Sequence, residues 1–173
     1  MTEPGIAIVA PQPFEKYIDL VKEQDLIKSL RKSKKSLLSL LDSIPKKKTG
    51  YRYAEGKWTI RQSLQHIIDA ERVFAYRALW FSRNDAQALP GFEENNWAMN
   101  ATADDRDWDE MIKEFRKIRS STILLFESFS ANQLKASGFA SNNLLTVSAL
   151  GYICSGHVEH HVNVLRERYL PAL

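Results

Sequence analysis

From Thr59 to Leu89 the chain contains neither glycine nor proline, and this stretch opens on Thr59-Ile-Arg-Gln62. That opening has the form of a capping box, in which a threonine hydroxyl and a glutamine side chain satisfy backbone N–H groups that the first helical turn leaves unpaired. The pattern predicts a long helix over residues 59–83.

Three other segments carry helical signatures. Leu26, Leu30, Leu37, Leu40, Leu41 and Ile44 recur at helical spacing ahead of Pro45, predicting a helix over residues 25–43. A third helix should begin near Asp107, with acidic residues in its first turn that suit the helix dipole. It carries Trp108, Met111, Ile112, Phe115, Ile118, Ile123, Leu124 and Phe126, and gives way to a loop over residues 130–143. The fourth should run over residues 146–170, where Pro171 ends the pattern. Gly151 and Gly156 lie inside it, each costing up to about 1 kcal/mol relative to alanine, so both should mark close packing. Residues 1–13, with Pro4, Gly5, Pro11 and Pro13, are expected to form an extended lead-in, followed by a short helical turn within residues 14–21. A loop bearing Pro90-Gly91-Phe92 and Asn95-Asn-Trp97 separates the second and third helices. There is no internal repeat and no convincing strand alternation. The expectation is an all-α fold, a four-helix bundle formed by one domain over residues 1–173.

Composition narrows the chemistry. The single cysteine, Cys154, rules out an internal disulfide, a CxxC redox pair and a multi-cysteine zinc site, so any metal must be held by histidine and carboxylate. Cys154 itself is expected to be a small buried apolar residue. The net charge of +3, from 24 basic and 21 acidic residues, is too balanced to argue for nucleic acid. The clusters at residues 31–35 and 46–48 are therefore read as solvated surface. No apolar run reaches the roughly 20 residues that cross a bilayer, and the N-terminus lacks the pattern of a signal peptide. A cytoplasmic protein is expected. A glycine-rich phosphate loop, a GxSxG elbow and an HExxH motif are all missing.

The four histidines are unevenly placed: His66 on the second predicted helix, and His157, His160 and His161 on the fourth. Steps of three and four along the fourth helix give the seam Val147, Leu150, Cys154, His157, His161, Val164, so His157 and His161 should face the bundle interior. Their i,i+4 spacing places the Cβ atoms about 5–6 Å apart. His160 lies to one side, and its i,i+3 relation to His157 is the other possible pairing. On the second helix the stripe Ser63, His66, Ala70, Val73 sets small residues around His66, leaving room for an ion and a ligand. Three neutral imidazoles leave coordination positions open, as reactive sites do. Spacing alone leaves a set of hydrogen-bonded core histidines equally open, although three inward imidazoles without partners would be costly. Asp69, Glu71 and Glu159 are the candidate catalytic or ligand-orienting carboxylates; simple solvation or ion pairing is the plainer role, and Glu71 and Arg72 could pair with other helices.

Lys57-Trp-Thr-Ile-Arg-Gln-Ser-Leu-Gln-His66 with Asp69-Ala-Glu-Arg72, and Gly156-His-Val-Glu-His-His161 with Leu165-Arg-Glu-Arg-Tyr169, resemble the second- and fourth-helix signatures of the DinB superfamily. Tyr51-Arg-Tyr53, Leu89-Pro-Gly-Phe92 and Phe115-Arg-Lys-Ile-Arg119 resemble further family segments. The resemblance covers the chain from about Leu26 onward. It implies an up-down-down-up bundle, often a homodimer, and a divalent metal, commonly nickel or zinc, held by His66, His157 and His161, with His160 outside the ligand set. Some members resembling YfiT are described as metal-dependent hydrolases; others are transferases or isomerases using a low-molecular-weight thiol. The expected function is thus metal-assisted activation of water or a thiol toward a small-molecule substrate, without nucleic acid or membrane. A non-catalytic metal- or ligand-binding module, or a dimerisation module, is the alternative.

Overall fold

In the computed structural model, which describes residues 8–172, the chain folds as a four-helix bundle. The first seven residues of the expected lead-in lie outside the described residues. In chain order the elements are α1 (Glu15–Ile18), α2 (Leu26–Asp42), α3 (Ile60–Ser82), α4 (Glu94–Asn100), α5 (Trp108–Glu127), α6 (Ala131–Lys135), strands β1 (Ser137–Ala140) and β2 (Asn143–Thr146), and α7 (Val147–Val164). The four long helices start on side-chain caps: Asp25, Thr59, Asp107 and Thr146 each accept an N–H from the first turn. At Thr59 the box is complete, with Gln62 accepting the Thr59 N–H in return.

Side-chain contacts fix the helix directions. Ser29 meets Ser155 at 2.9 Å and Ser36 donates to Glu159 at 3.3 Å, so α2 and α7 run parallel. Arg31 pairs with Glu127, and Lys46 with Asp109, so α2 and α5 are antiparallel. Glu71 pairs with Arg119 above the contact of Thr59 with Asp104, so α3 and α5 run parallel. His66 meets both His157 and His161 while Phe74 meets only His157, so α3 and α7 are antiparallel. The topology is up-down-down-up, with α7 packed against both α2 and α3.

The core is two apolar clusters separated by a polar layer. One cluster gathers Leu37, Leu41, Leu64, Ile67, Met111 and Phe115; the other gathers Leu30, Phe74, Phe81, Phe126, Leu150 and Ile153. Between them lie Ser33, Glu71, Arg119, Ser155 and the histidines, all buried except the partly exposed His160 and His161. Arg119, fully buried, ties all four helices together. Its Nε and Nη2 donate to the Glu71 carboxylate at 2.6 and 2.8 Å, Nη1 donates to Leu30 O and Ser33 Oγ, and Nη2 also donates to Cys154 O.

Several expectations need correction. The segment after α5 is not a plain loop. Ser130 and Gln133 form a second capping box that starts α6, and β1 and β2 form a hairpin pairing Ser137↔Thr146 through Ala140↔Asn143. Ser141 and Asn142 both have positive φ, 52° and 62°, as a type I′ two-residue turn requires. The loop after α3 contains α4. The fourth helix ends as an α-helix at Val164 and continues as a π turn over Leu165–Tyr169. The two glycines do mark close approaches. A Cβ at Gly151 would lie 2.8 Å from Leu26 and Phe126, and one at Gly156 would lie 1.8 Å from the Tyr17 carbonyl oxygen. Gly156 therefore lets α1 lie directly across α7. Among the described residues no helix is long and apolar enough to cross a membrane.

Candidate metal centre

Position 66 on α3 and positions 157 and 161 on α7 come together in the polar layer. The Nε2 atoms of His66 and His157 are 3.0 Å apart, and those of His157 and His161 are 3.2 Å apart. One ligand-type atom from each of the three rings lies within 4.8 Å of the others. Hydrogen bonding cannot account well for this cluster. A neutral imidazole nitrogen either donates one N–H or offers one lone pair. His157 Nε2 thus bonds one neighbour properly and leaves the other contact unsatisfied or shared. A cation accepting all three lone pairs resolves the conflict, so the residues fit a metal ion.

Burial keeps the rings neutral, the form that ligates metal. It pushes His66 down to about 4, with the neighbouring charge of His160 as the next cause. Burial is also the main reason that His157 and His161 lie well below the usual histidine value, followed by the adjacent histidines. Aromatic walls set the ring orientations. Trp58 packs on His66 at 4.8 Å between centroids, and Tyr17 and Phe74 meet His157 edge-on at 5.3 and 5.7 Å. His160 stays outside the converging set, its ring 5.1 Å from His161 and 5.6 Å from Tyr17 between centroids.

The three candidate carboxylates do not join the centre, and none hydrogen-bonds a histidine. Glu71 is the buried partner of Arg119. Asp69 accepts from Gln65 at 2.9 Å and borders an outer hollow beside Tyr76 and Trp97; burial raises its pKa. Glu159 accepts from Ser36 in a separate hollow between α2 and α7, and burial raises its pKa as well. The expected pairings of Glu71 and Arg72 with other helices are present, Arg72 meeting Glu114 at 2.5 Å. Cys154 is buried, and burial pushes its thiol up.

A cavity of about 250 Å³ borders His66 and His157. Phe14, Tyr17, Phe74 and Phe92 supply its aromatic walls, and Arg77, Glu94, Ser141 and Asn143 its polar lining. Tyr17 is held protonated, its pKa raised by burial and then by the charge of Glu94. Apart from Phe92, which lies in a segment resembling the family's, none of these residues was marked from the sequence as part of a site. The signal for Arg77 was present: the stripe Ser63, His66, Ala70, Val73 reaches position 77 after one more step of four. No comparable signal marked Tyr17 or Ser141, which arrive from α1 and the hairpin turn.

Residues 29–165 match the family described as the DinB superfamily. Two provisionally named metal-dependent hydrolases are similar in sequence. One, from Geobacillus kaustophilus, is 29% identical over 94 residues, covering 54% of this chain and 51% of the relative. The other, from Geobacillus thermodenitrificans, is 37% identical over 51 residues, covering 30% and 29%. The chain thus spans about half or less of the length of these relatives. YfiT from Bacillus subtilis, described as a probable metal-dependent hydrolase with an unusual four-helix bundle topology, superposes with a TM-score of 0.72 at 15% identity, covering 95% of this chain and 90% of that one. A mycothiol-dependent maleylpyruvate isomerase superposes with a TM-score of 0.66 at 14% identity, covering 87% and 60%.

Proposed function

This chain belongs to the DinB superfamily, and from that premise we propose that it is a metal-dependent enzyme that activates water or a small thiol at a centre made by His66, His157 and His161. The observation that carries the reading is the approach of three Nε2 atoms, at 3.0 and 3.2 Å, in a pattern that hydrogen bonding alone satisfies poorly.

A divalent ion, nickel or zinc, would supply Lewis-acid chemistry there, lowering the pKa of a water or thiol toward neutrality. The three imidazoles add no charge of their own, so they hold a cation without neutralising it. Only these three ligand-type groups converge among the described residues, and the cavity beside them admits a small molecule. Both features favour a reactive site over a closed structural one. Phe14, Phe74 and Phe92 keep bulk water from one side, which strengthens electrostatic interactions within the cavity. Tyr17, protonated beside His157, is placed to donate a hydrogen bond to a bound group. The two nucleophiles differ only in what enters the cavity. The hydrolase reading follows the names of the Geobacillus relatives and of YfiT, and the thiol reading that of the mycothiol-dependent isomerase. The proposal extends to a cytoplasmic homodimer acting on a small molecule.

Protein purified without an affinity tag should carry about one metal ion per chain by elemental analysis. His161→Ala should lose it and His160→Ala should keep most of it; the reverse pattern overturns the ligand assignment. Parallel assays of metal-dependent ester or amide hydrolysis and of thiol conjugation then separate the two chemistries.

A further inference from the structure

Arg77 is 2% exposed, yet no carboxylate pairs with it among the described residues. Its Nη2 donates to Pro90 O at 2.9 Å and Ser141 Oγ at 3.0 Å, both uncharged. Among the described residues its Nε and Nη1 have no acceptor, yet neither is sealed from open space, whereas Arg61 Nε is both sealed and unpartnered. Arg77 lines both the cavity that holds His66 and His157 and the outer hollow beside Asp69 and Trp97, and its Nη2 acceptor Ser141 belongs to the lining of the first. Burying a guanidinium without an anion is costly, and burial accordingly lowers its pKa with no carboxylate nearby to raise it. The other buried arginine among the described residues, Arg119, is paired with Glu71.

We infer that Arg77 is the anchor for the anionic end of the substrate, so that the site takes an organic acid with an apolar body, its carboxylate on Arg77 and its reacting bond at the three histidines. This inference rests on the metal-centre reading for the reacting end only. Arg77 lies eleven positions along α3 from His66, roughly 16–17 Å of helix axis, so the two groups belong to opposite ends of one small molecule. The volume of about 250 Å³ corresponds to roughly eight waters. Phe14, Phe74 and Phe92 offer aromatic surface between the two ends. The cavity's other charged side chains, Lys16 and Glu94, are exposed and of opposite sign, which leaves Arg77 as the buried charge that selects the ligand. Tethering of Pro90 and the hairpin turn uses only Nη2 and leaves the other N–H groups unexplained.

The test compares 4-phenylbutyrate with 4-phenylbutan-1-ol by calorimetric titration, on zinc-loaded and on EDTA-treated protein. In EDTA-treated protein the acid should bind at least tenfold more tightly than the alcohol, and Arg77→Gln should erase that preference. Ser141→Asp provides a second variant that keeps the arginine. It places a carboxylate beside Nη2 at a left-handed position that aspartate tolerates, and it too should erase the preference by supplying the missing counter-ion. Equal binding of acid and alcohol to the unaltered protein overturns the inference. So does a preference that survives Ser141→Asp, or that survives a folded Arg77→Gln. Metal content is measured separately, so failure of the metal centre would leave the anion assay readable.

Discussion

Replacing Glu71 with glutamine removes one charge from the middle of the bundle and almost no volume. Arg119 has no exposed surface, and its N–H groups are all engaged: two by Glu71, the others by Leu30 O, Ser33 Oγ and Cys154 O. Glutamine would offer one acceptor where the carboxylate offers two, and would set its amide N–H groups against the guanidinium. Removing one partner of a buried pair costs about 3–5 kcal/mol, because the other charge stays buried. For a chain of this size each kcal/mol shifts Tm by about 2–4 °C, so Glu71→Gln should melt roughly 6–20 °C lower. Replacing both residues, as Glu71→Leu with Arg119→Met, removes the stranded charge and should recover at least half of the loss. Urea unfolding followed by far-UV circular dichroism, at pH 7 and with EDTA, measures all three proteins. The reasoning is refuted if Glu71→Gln lies within 1 kcal/mol of the parent, or if the double variant is less stable than the single. Metal content of a folded Glu71→Gln should stay at about one per chain, since Glu71 touches no histidine.

Acid should destabilise the metal-free protein. His66 titrates near 4 when folded and near 6.5 when unfolded, so the unfolded chain binds more protons and stability is lost as pH falls from about 6.5 through 4. That residue alone accounts for about 3 kcal/mol; equal urea midpoints at pH 7.5 and 4.5 in EDTA would contradict it, and His66→Phe should shrink the loss. Zinc at a hundred times its Kd should raise stability by about 2.7 kcal/mol in the parent but not in His66→Ala, as thermal melts would show. Gly156→Ala puts a methyl group onto the Tyr17 carbonyl, so α1 must lift away while the bundle stays folded. Tryptic cleavage at Lys16 should accelerate at least tenfold, with helical content unchanged.

The helices were legible where their ends are written in short-range chemistry. Thr59 and Gln62 form the expected capping box, the other three long helices begin at the expected positions, where Asp25, Asp107 and Thr146 turn out to be caps, and Pro45 lies just past the end of α2. The histidine seam was legible because three- and four-residue steps fix which side of a helix faces inward. The hairpin was not: each strand has four residues, and Gly138 and Ala140 give little alternation to read. Gly138 is there because a Cβ would strike the Phe81 ring at 2.2 Å, a tertiary fact that neighbouring residues do not announce. The capping box at Ser130 carried the same signal as Thr59 but opens a helix of only five residues, with too little periodicity behind it. The π turn keeps Leu165 and Tyr169 buried, just as an α-helix would, so apolar spacing could not distinguish the two. The carboxylates failed as site candidates because sequence shows which residues share a helix face but not which neighbour that face meets.

The up-down-down-up order has a consequence for how the protein is made. Its last long helix is the one that fits between the first two, and it brings two of the three nitrogens with it. On a ribosome, His66 emerges 91 residues ahead of His157 and has no second imidazole to share an ion with during that interval. The bundle and its three-histidine cluster therefore come to completion in the same step, so that a chain able to bring the three rings together is one that has already found its fold.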